Sequence, residues 1–315
     1  SQTSKQSIGV QLDLGNSQLK VPLAFQLIPG QNDTAVGNFP ANNNQAHDFQ
    51  LSPIDLNYQA GSPNNTVVQV QVTALNDQLV EGNETANLSV TISSSGFPQF
   101  TSPAVHPVQI QDANEATVQF EADRSEVAEG DASINLNAVL DTSEASLAVP
   151  LSFSVQHSNI GAAVGRIGEE AALNNADFDL LQNVFTFSQG ATDQTVRSLS
   201  ITPNSDLLIE GMESATLELS LQAGPASVGT RGRHEYIIAD SNRATVAFTT
   251  TDVLLNEGVE EHTIQFTLNT EGSTLAVPVE IEISDNGNST AIGDFNEQEQ
   301  APINADFTIQ NRIIT

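Results

Sequence analysis

Carboxylates crowd together at two places in this sequence, each time directly before an alternating apolar segment. Residues 77–84 read Asp-Gln-Leu-Val-Glu-Gly-Asn-Glu, and residues 206–213 read Asp-Leu-Leu-Ile-Glu-Gly-Met-Glu. We call these segments the first and second acidic motifs. Close carboxylates repel one another by about 1–4 kcal/mol per pair, depending on exposure. The chain therefore either tolerates that cost or holds a cation, and calcium takes about 6–8 oxygen ligands of this kind.

Two interpretations without a metal compete with the calcium interpretation. The central glutamates, Glu81 and Glu210, can begin a strand with exposed, hydrated carboxylates. Alternatively, they can accept hydrogen bonds from a turn. The sequence leaves all three interpretations open.

The composition narrows the functional classes. The 315 residues include 39 acidic and 9 basic side chains, for a formal charge of -30. The electrostatic field of so negatively charged a chain repels nucleic acid and anionic membranes, so neither is expected as a partner. The chain has no cysteine, which excludes disulfides, zinc–thiolate sites and a cysteine nucleophile. No motif with catalytic spacing occurs, so an enzyme is not expected.

The sequence repeats itself with a period of about 128 residues. The segment Leu-Lys-Val-Pro-Leu-Ala-Phe at 19–25 recurs as Leu-Ala-Val-Pro-Leu-Ser-Phe at 147–153 and as Leu-Ala-Val-Pro-Val-Glu-Ile at 275–281. Internal repeats of this kind indicate an array of similar units. We expect residues 1–112 to form a copy that lacks its first strand. Residues 113–240 should form a complete copy, and 241–315 the N-terminal part of a third.

Each copy predicts short antiparallel strands. Residues 67–72 and 216–221 alternate apolar and polar side chains, and clusters of Gly, Asn, Asp and Ser separate such segments. About seven strands in 110–130 residues are typical of an all-β fold of tandem immunoglobulin-like antiparallel β-sandwiches. The connectors at 110–116 and 238–244 are short, so successive sandwiches should abut. The incomplete copies have two explanations: the segment is a fragment of a longer array, or the missing strands are supplied by a neighbouring chain that adds to an unpaired sheet edge.

The ordered motifs resemble the Calx-β family of tandem repeats. That family's pattern is a Val-x-Phe strand, Glu-Gly, a Thr-Ala segment, Asp-Phe and then Asp-x-x-x-Glu-x-x-Glu before an apolar strand. The middle copy matches it at Val118-Gln119-Phe120, Glu129-Gly130, Ala162-Ala163, Asp177-Phe178 and residues 206–213. Calx-β domains are sandwiches found in sodium–calcium exchangers, an integrin subunit and many large bacterial surface proteins. The resemblance implies calcium sites at one tip of each sandwich.

Carried over residue by residue, the resemblance implies calcium ligands in all three copies. The implied ligands are Glu129, Asp177, Asp206, Glu210 and Asp240 in the middle copy, Asp48, Asp77, Glu81 and Asp112 in the first, and Glu257 and Asp306 in the third. Two features depart from the family. Asn76 and Asn204-Ser205 stand where calcium-binding members often have aspartates, and fewer carboxylates mean weaker binding. Polar or acidic inserts also precede each Asp-Phe pair, which predicts a shared surface feature.

These observations predict a non-enzymatic structural or adhesive array of a cell surface, extracellular filament or matrix, rigidified by calcium at repeat tips and junctions. The expected partners are neighbouring repeats or identical subunits, joined by strand complementation, and a surface protein or glycan. No membrane insertion is expected in this segment, since no apolar run approaches the about 18–20 residues required. Two alternatives remain open: a non-catalytic spacer module of a large secreted enzyme, and a calcium-sensing regulatory domain.

Overall fold

All regular elements of the computed structural model are β-strands. The structure describes residues 5–30, 33–37, 47–92, 105–158, 161–168, 176–256, 258, 262–284, 291, 293–294, 307–309 and 313–314. Among these residues there is no helix of the length and apolar character that a membrane crossing requires. The expectation of an all-β fold is confirmed.

The first repeat is a sandwich of a three-stranded and a four-stranded sheet. Its strands are β1 (Lys5–Gln11), β2 (Leu23–Ile28), β3 (Phe49–Ser52), β4 (Asp55–Tyr58), β5 (Val67–Ala74), β6 (Leu79–Val80), β7 (Glu84–Ile92) and β8 (His106–Ile110). The sheet orders are β1-β5-β3 and β4-β2-β7-β8. Buried Phe25, Phe49 and Leu88 lie in the core between the sheets. The ring of Phe25 stacks on that of Tyr58 at 5.1 Å between centroids.

The second repeat is a larger sandwich of the same kind. Its strands are β9 (Ala116–Phe120), β10 (Arg124–Ala128), β11 (Ile134–Asp141), β12 (Ser146–Leu147), β13 (Leu151–His157), β14 (Gly165–Ile167), β15 (Phe178–Leu180), β16 (Val184–Phe187), β17 (Val196–Pro203), β18 (Leu208–Ile209), β19 (Met212–Ala223), β20 (Ala226–Val228) and β21 (Arg233–Ala239). The sheet orders are β10-β21-β19-β13-β16 and β14-β15-β17-β11-β9-β20.

Period-2 alternation decides which side chains enter the second core. In β19 the side chains of Ala215, Leu217 and Leu219 are buried, while their neighbours are only partly buried. Because successive side chains of a strand point to opposite faces, one such strand covers one face of the core. Phe153 and Tyr236, from adjacent strands of the same sheet, are fully buried beside it.

The opening segment of the second repeat belongs to both sheets. Strand β9 pairs antiparallel with β11 in one sheet, and β10 pairs parallel with β21 in the other. The buried ring of His234 holds the bend between them, since its two nitrogens lie 2.8 Å from Ser125 Oγ and 2.9 Å from the Ala122 carbonyl oxygen. This segment therefore covers an edge strand of each sheet.

The third repeat is described in pieces. Its strands are β22 (Thr245–Phe248), β23 (Phe266–Asn269), β24 (Thr274–Leu275), β25 (Ile281–Glu282), β26 (Gly293–Asp294), β27 (Phe307–Thr308) and β28 (Ile313–Ile314). They pair as β22-β23, β25-β28 and β26-β27, and β24 pairs with β18 of the second repeat.

Successive repeats join in the same way at both junctions. Strand β6 pairs parallel with β12, and β18 pairs parallel with β24. The amides of Ser146 and Ala148 donate to the carbonyls of Gln78 and Val80 at 2.9 and 3.0 Å. The side chain of Val80 is 1% exposed and belongs to the core of the second repeat. The segment between Asp77 and Glu81 therefore inserts into the neighbouring repeat.

We expect Val80→Ala to lower the free energy of unfolding by about 2 kcal/mol, because it removes fully buried methyl groups and leaves a cavity at the junction. Chemical denaturation followed separately in each repeat measures the loss and shows whether the transitions of the first two repeats move apart. The matched control is Val67→Ala in the same repeat, where the side chain is 46% exposed. Equal effects of the two changes would contradict the packing role of Val80.

Candidate metal centre

Two aspartates at the ends of repeats hold the turns of the acidic motifs. Asp240 Oδ2 accepts the backbone N–H groups of Glu210 and Gly211 at 2.7 and 2.9 Å. In the first repeat Asp112 Oδ2 accepts those of Glu81 and Gly82 at 2.7 and 2.8 Å. Both glycines have positive φ, 87° and 82°, in the left-handed region that favours glycine. These bonds place the central glutamate of each motif at the tip of its sandwich.

An asparagine after each of these aspartates fastens the start of the motif. The backbone N–H of Asn242 donates to Asp240 Oδ1 at 2.6 Å, and its side-chain amide donates to the Asp206 carbonyl at 3.2 Å. Asn114 bonds to Asp112 Oδ1 and the Asp77 carbonyl at 2.8 and 3.2 Å in the same way. Both tips are therefore built by one hydrogen-bond pattern.

The recurring Val-Gly and Asp-Phe elements form one unit that positions a further aspartate. The Asp177 carboxylate accepts the N–H of Val164, and the Asp177 N–H donates to the Val164 carbonyl at 2.8 Å. A side chain at Gly165 would overlap the ring of Phe178, so this close parallel pairing requires glycine. Asp48 bonds to Val36 in the same way. Each insert thus connects two elements, Val-Gly and Asp-Phe, that lie side by side. Most residues of the inserts lie outside the described residues.

Five carboxylates converge at the tip of the second repeat. Oxygens of Glu129, Asp206 and Glu210 lie within 4.8 Å of one another, and so do those of Asp177, Glu210 and Glu213. Glu210 therefore belongs to both groups. Of the other residues in the second group, Glu213 lies in β19, and Asp177 directly precedes β15. The two sheets of the sandwich thus contribute ligand atoms to one cluster.

The first repeat holds the corresponding cluster around a small cavity. Oxygens of Asp48, Glu81 and Glu84 lie within 4.8 Å of one another. A cavity of about 20 Å³ is lined by these three residues together with Asp77 and Asp112. Since one water molecule needs about 10–15 Å³ of such space, the cavity suits a single water molecule or ion.

Burial and mutual repulsion raise the pKa values of these carboxyls. Burial, followed by the charge of Asp48, raises the pKa of Glu81 to about 7 and that of Glu84 to about 8. Burial and the charge of Asp177 raise the pKa of Glu213 to about 7. Burial also raises the pKa of Glu210, with the charge of Asp177 as the next cause. At neutral pH the clusters therefore favour either a proton or a cation.

The donor set suits a hard cation such as calcium. It consists of carboxylate oxygens, the ligands that calcium takes, whereas zinc and copper sites are usually built around nitrogen or sulfur ligands. Glu210 Oε2 is buried and has no hydrogen-bond partner among the described residues. The three ion pairs within that part of the chain involve other carboxylates. A buried, unpartnered oxygen disagrees with the hydrated-carboxylate interpretation, and the turn is held by Asp240 rather than by Glu210 itself.

The structure brings together most of the residues that the sequence implicated. Those in the carboxylate groups are Asp48, Glu81, Glu129, Asp177, Asp206 and Glu210. Asp77 and Asp112 line the cavity beside the first group. Asp112 and Asp240 also act as hydrogen-bond acceptors for the turn, a role that the sequence did not predict. The third-copy residues Glu257 and Asp306 lie outside the described residues.

Sequence reasoning missed two cluster members, Glu84 and Glu213. Each is the last residue of its acidic motif, and Glu84 begins β7. The available signal was the second glutamate of the Asp-x-x-x-Glu-x-x-Glu spacing, which follows the glycine turn and faces back toward the cluster.

The sequence was compared with models of known protein families, and one family matches it twice. The model of the Calx-beta domain matches residues 41–114 and 111–242. Among curated protein sequences, none matches this chain.

Similar solved structures include the apo-form Calx CBD1 domain, with 14% identity and a TM-score of 0.30 over 40% of this chain and 98% of that chain. Another is CBD12 from CALX1.2, with 12% identity and a TM-score of 0.26 over 74% of this chain and 92% of that chain.

Without a cation, the chain should become less stable as the pH rises from about 5 to 8. The folded-state pKa values of Glu81, Glu84 and Glu213 lie above their ordinary value, so the folded chain binds more protons than the unfolded chain across this window. The stabilisation is fully present below the ordinary value and is lost as the pH passes the raised values. Urea unfolding in chelator at several pH values measures it.

The paired variants Glu84→Gln and Glu213→Gln should flatten this pH dependence, because a neutral amide replaces the titrating group. Glu235→Gln, at an exposed position outside the clusters, is the matched control and should keep the slope. A chelated stability that stays level or rises between pH 5 and 8 would show that the clusters do not titrate in this way.

Proposed function

The chain belongs to the Calx-β domain family, and we propose that it is a non-enzymatic, calcium-binding structural array that works outside the cell. The observation that carries the proposal is the convergence of Asp48, Glu81 and Glu84 on a cavity of about 20 Å³. The equivalent tip of the second repeat supports it with five carboxylates and a buried, unpartnered Glu210 oxygen.

The residues of each tip have distinct tasks in this proposal. Glu81 and Glu84 in the first repeat, like Glu210 and Glu213 in the second, supply charged oxygens. Asp112 and Asp240 hold the turns that present them, through backbone N–H groups. A bound calcium ion supplies positive charge that offsets the carboxylate repulsion. Calcium binding thereby takes the place of the protons that these glutamates, with their raised pKa values, favour in the absence of an ion.

Calcium at the first tip would also stiffen the junction to the second repeat. The two residues of β6 lie between Asp77 and Glu81 and pair with β12 of the next repeat. Gly82, in the same turn, lies against Pro225 of the second repeat. An ion that orders this turn therefore orders a contact surface between repeats. At a concentration about 100-fold above its Kd, it would add about 2.7 kcal/mol of stability.

An extracellular structural or adhesive role fits the charge and the architecture. Extracellular calcium modules bind with Kd values of about 10⁻⁴ to 10⁻³ M, the range expected for tips in which asparagines replace some aspartates. A net charge of -30 keeps such arrays soluble and apart from nucleic acid and anionic membranes. The exposed loops of abutting sandwiches would meet a surface protein or glycan.

Calcium should bind this chain with a Kd of about 10⁻⁴ to 10⁻³ M, in isothermal calorimetry of decalcified protein. Glu213→Gln should weaken the second-repeat site and Glu84→Gln the first-repeat site, each by about tenfold or more, because each removes one charged ligand. Glu235→Gln should leave both sites unchanged. Absence of binding heat, together with a melting temperature that calcium does not raise, would overturn the calcium proposal.

Calcium should slow hydrogen exchange at the two junctions more than in the sandwich cores. The reporter amides are those of Ser146 and Ala148 at the first junction and Thr274 and Ala276 at the second. Small-angle scattering on the same samples should show little change in mean dimensions, because the ion stiffens an existing contact. A large calcium-driven change in dimensions would instead favour a calcium-sensing regulatory role.

A further inference from the structure

A buried histidine holds the place where the second repeat passes from one sheet to the other. Strand β9 ends at Phe120 in one sheet and β10 begins at Arg124 in the other, so the chain bends between these residues. His234 of β21 is 3% exposed and contacts the bend with both ring nitrogens. Nδ1 lies 2.9 Å from the Ala122 carbonyl oxygen, and Nε2 lies 2.8 Å from Ser125 Oγ. One side chain therefore fastens a segment that is 109 to 112 positions away in the sequence.

These two contacts determine which protonation state the site holds. A carbonyl oxygen only accepts hydrogen bonds, so Nδ1 carries a proton and donates to the carbonyl of Ala122. In the neutral ring Nε2 is then an acceptor, and Ser125 donates its hydroxyl proton to it. In the imidazolium both nitrogens are donors, so Ser125 has to accept and its hydroxyl proton loses this acceptor. The hydrogen-bond geometry therefore matches the neutral ring.

The immediate surroundings of the ring are apolar. The ring of Phe120 lies 5.6 Å away between centroids, and the buried Leu217 is opposite His234 on β19. A positive charge at this position would lose its hydration and gain little in return. Burial accordingly lowers the pKa of His234, although the hydrogen bond to Ala122 acts in the opposite direction.

The charged groups on the adjacent elements do not reverse this preference. The titratable and charged side chains there are Glu121 and Asp123 of the bend, Arg124 and Glu126 of β10, Glu218 of β19, and Arg233, Glu235 and Tyr236 on β21 itself. Both arginines are paired, Arg124 with Glu126 and Arg233 with Glu218. The charges of Asp123 and Glu235 raise the pKa of His234, but burial has the larger effect.

We propose that His234 is a pH-sensitive latch, whose neutral ring keeps the bend and β10 in place and whose protonation releases them. In the released form the ring lies in solvent, where an imidazole has a pKa of about 6.5. The closed form binds a proton less readily than the released form. Its stability is therefore complete above this pH and declines as the pH falls below it.

Strand β10 is the element that the latch frees. It is an edge strand that pairs with β21 alone among the described residues, and its one buried side chain is Val127. Strand β9 lies between β11 and β20 and buries Val118 and Phe120, so it stays in its sheet. Release of β10 also withdraws Glu129, which directly follows it, from a carboxylate group of the second tip. That last consequence rests on the proposed function, whereas the latch does not.

Proton NMR of the His234 ring in the full 315-residue chain tests the closed form directly. The Cε1–H resonance, assigned through its contact with the ring of Phe120, should titrate below the ordinary value of about 6.5 in the presence of chelator. Titration at or above that value would overturn the proposal. Since the measurement uses the unmodified chain, it does not depend on whether a variant folds.

Hydrogen exchange in the same buffer tests the release of β10. The N–H groups of Glu235 and Glu129 donate to the carbonyls of Asp123 and Ala239 across the β10–β21 pair, at 2.9 and 3.0 Å. Their protection factors should fall as the pH is lowered from about 7.5 to about 5, by about tenfold for each unit by which the ring titrates below its ordinary value. Gly229, whose N–H donates to Val118 of β9, should keep its protection.

Matched variants separate the latch from the carboxylate clusters, which in chelator become more stable as the pH falls. His234→Gln offers a donor and an acceptor in a side chain that does not titrate, so it should remove the pH dependence of protection at Glu235. His106→Gln replaces the exposed histidine at the equivalent position of the first repeat and should leave that dependence unchanged. The same pH dependence in the His234→Gln variant, or an equal loss of protection at Gly229, would overturn the proposal. Because no calcium is present, neither result bears on the calcium proposal.

Discussion

The geometry of both tips depends on one kind of hydrogen bond, in which a carboxylate accepts two successive backbone N–H groups. Asp112 and Asp240 hold the glycine turns of the acidic motifs in this way. The turn directs Glu81 or Glu210 inward and lets the following glutamate return from the next strand. Without this restraint, like charges would separate into solvent. Their repulsion is therefore maintained by the fold, and the raised pKa values of the glutamates are its electrostatic consequence.

The same turn connects the carboxylate cluster to the repeat junction. The two apolar residues between Asp77 and Glu81 extend from the cluster toward the next sandwich. There Val80 packs in the hydrophobic core of the second repeat. A motif of eight residues thus contributes to a carboxylate cluster and to a contact between repeats. Since the second junction reproduces the first through β18 and β24, the coupling is a property of the repeat. In the proposed function, calcium binding at one tip therefore also acts on the adjacent junction.

The sandwich also makes each repeat dependent on its opening segment. Strands β9 and β10 close both sheets of the second repeat, and the buried His234 fixes the bend between them. Among the described residues β1 is paired on one side only, with β5, and its Ile8 and Val10 are partly buried.

Much of this architecture was predictable because it depends on periodic patterns. Period-2 alternation and the 128-residue repeat predicted the strands and the tandem sandwiches, and the resemblance to the Calx-β family implied six of the carboxylates that meet. Sequence spacing did not reveal that Asp112 and Asp240 brace the turns, that Glu84 and Glu213 return to the cluster, or that Val80 enters the next core. Those features depend on contacts between residues about 30 to 70 positions apart. By itself, the sequence determined the repeat, the strand faces and the carboxylates available to each tip. The tertiary structure alone decided which carboxylates converge and which are occupied by backbone N–H groups, because a carboxylate's role depends on the groups that packing brings around it.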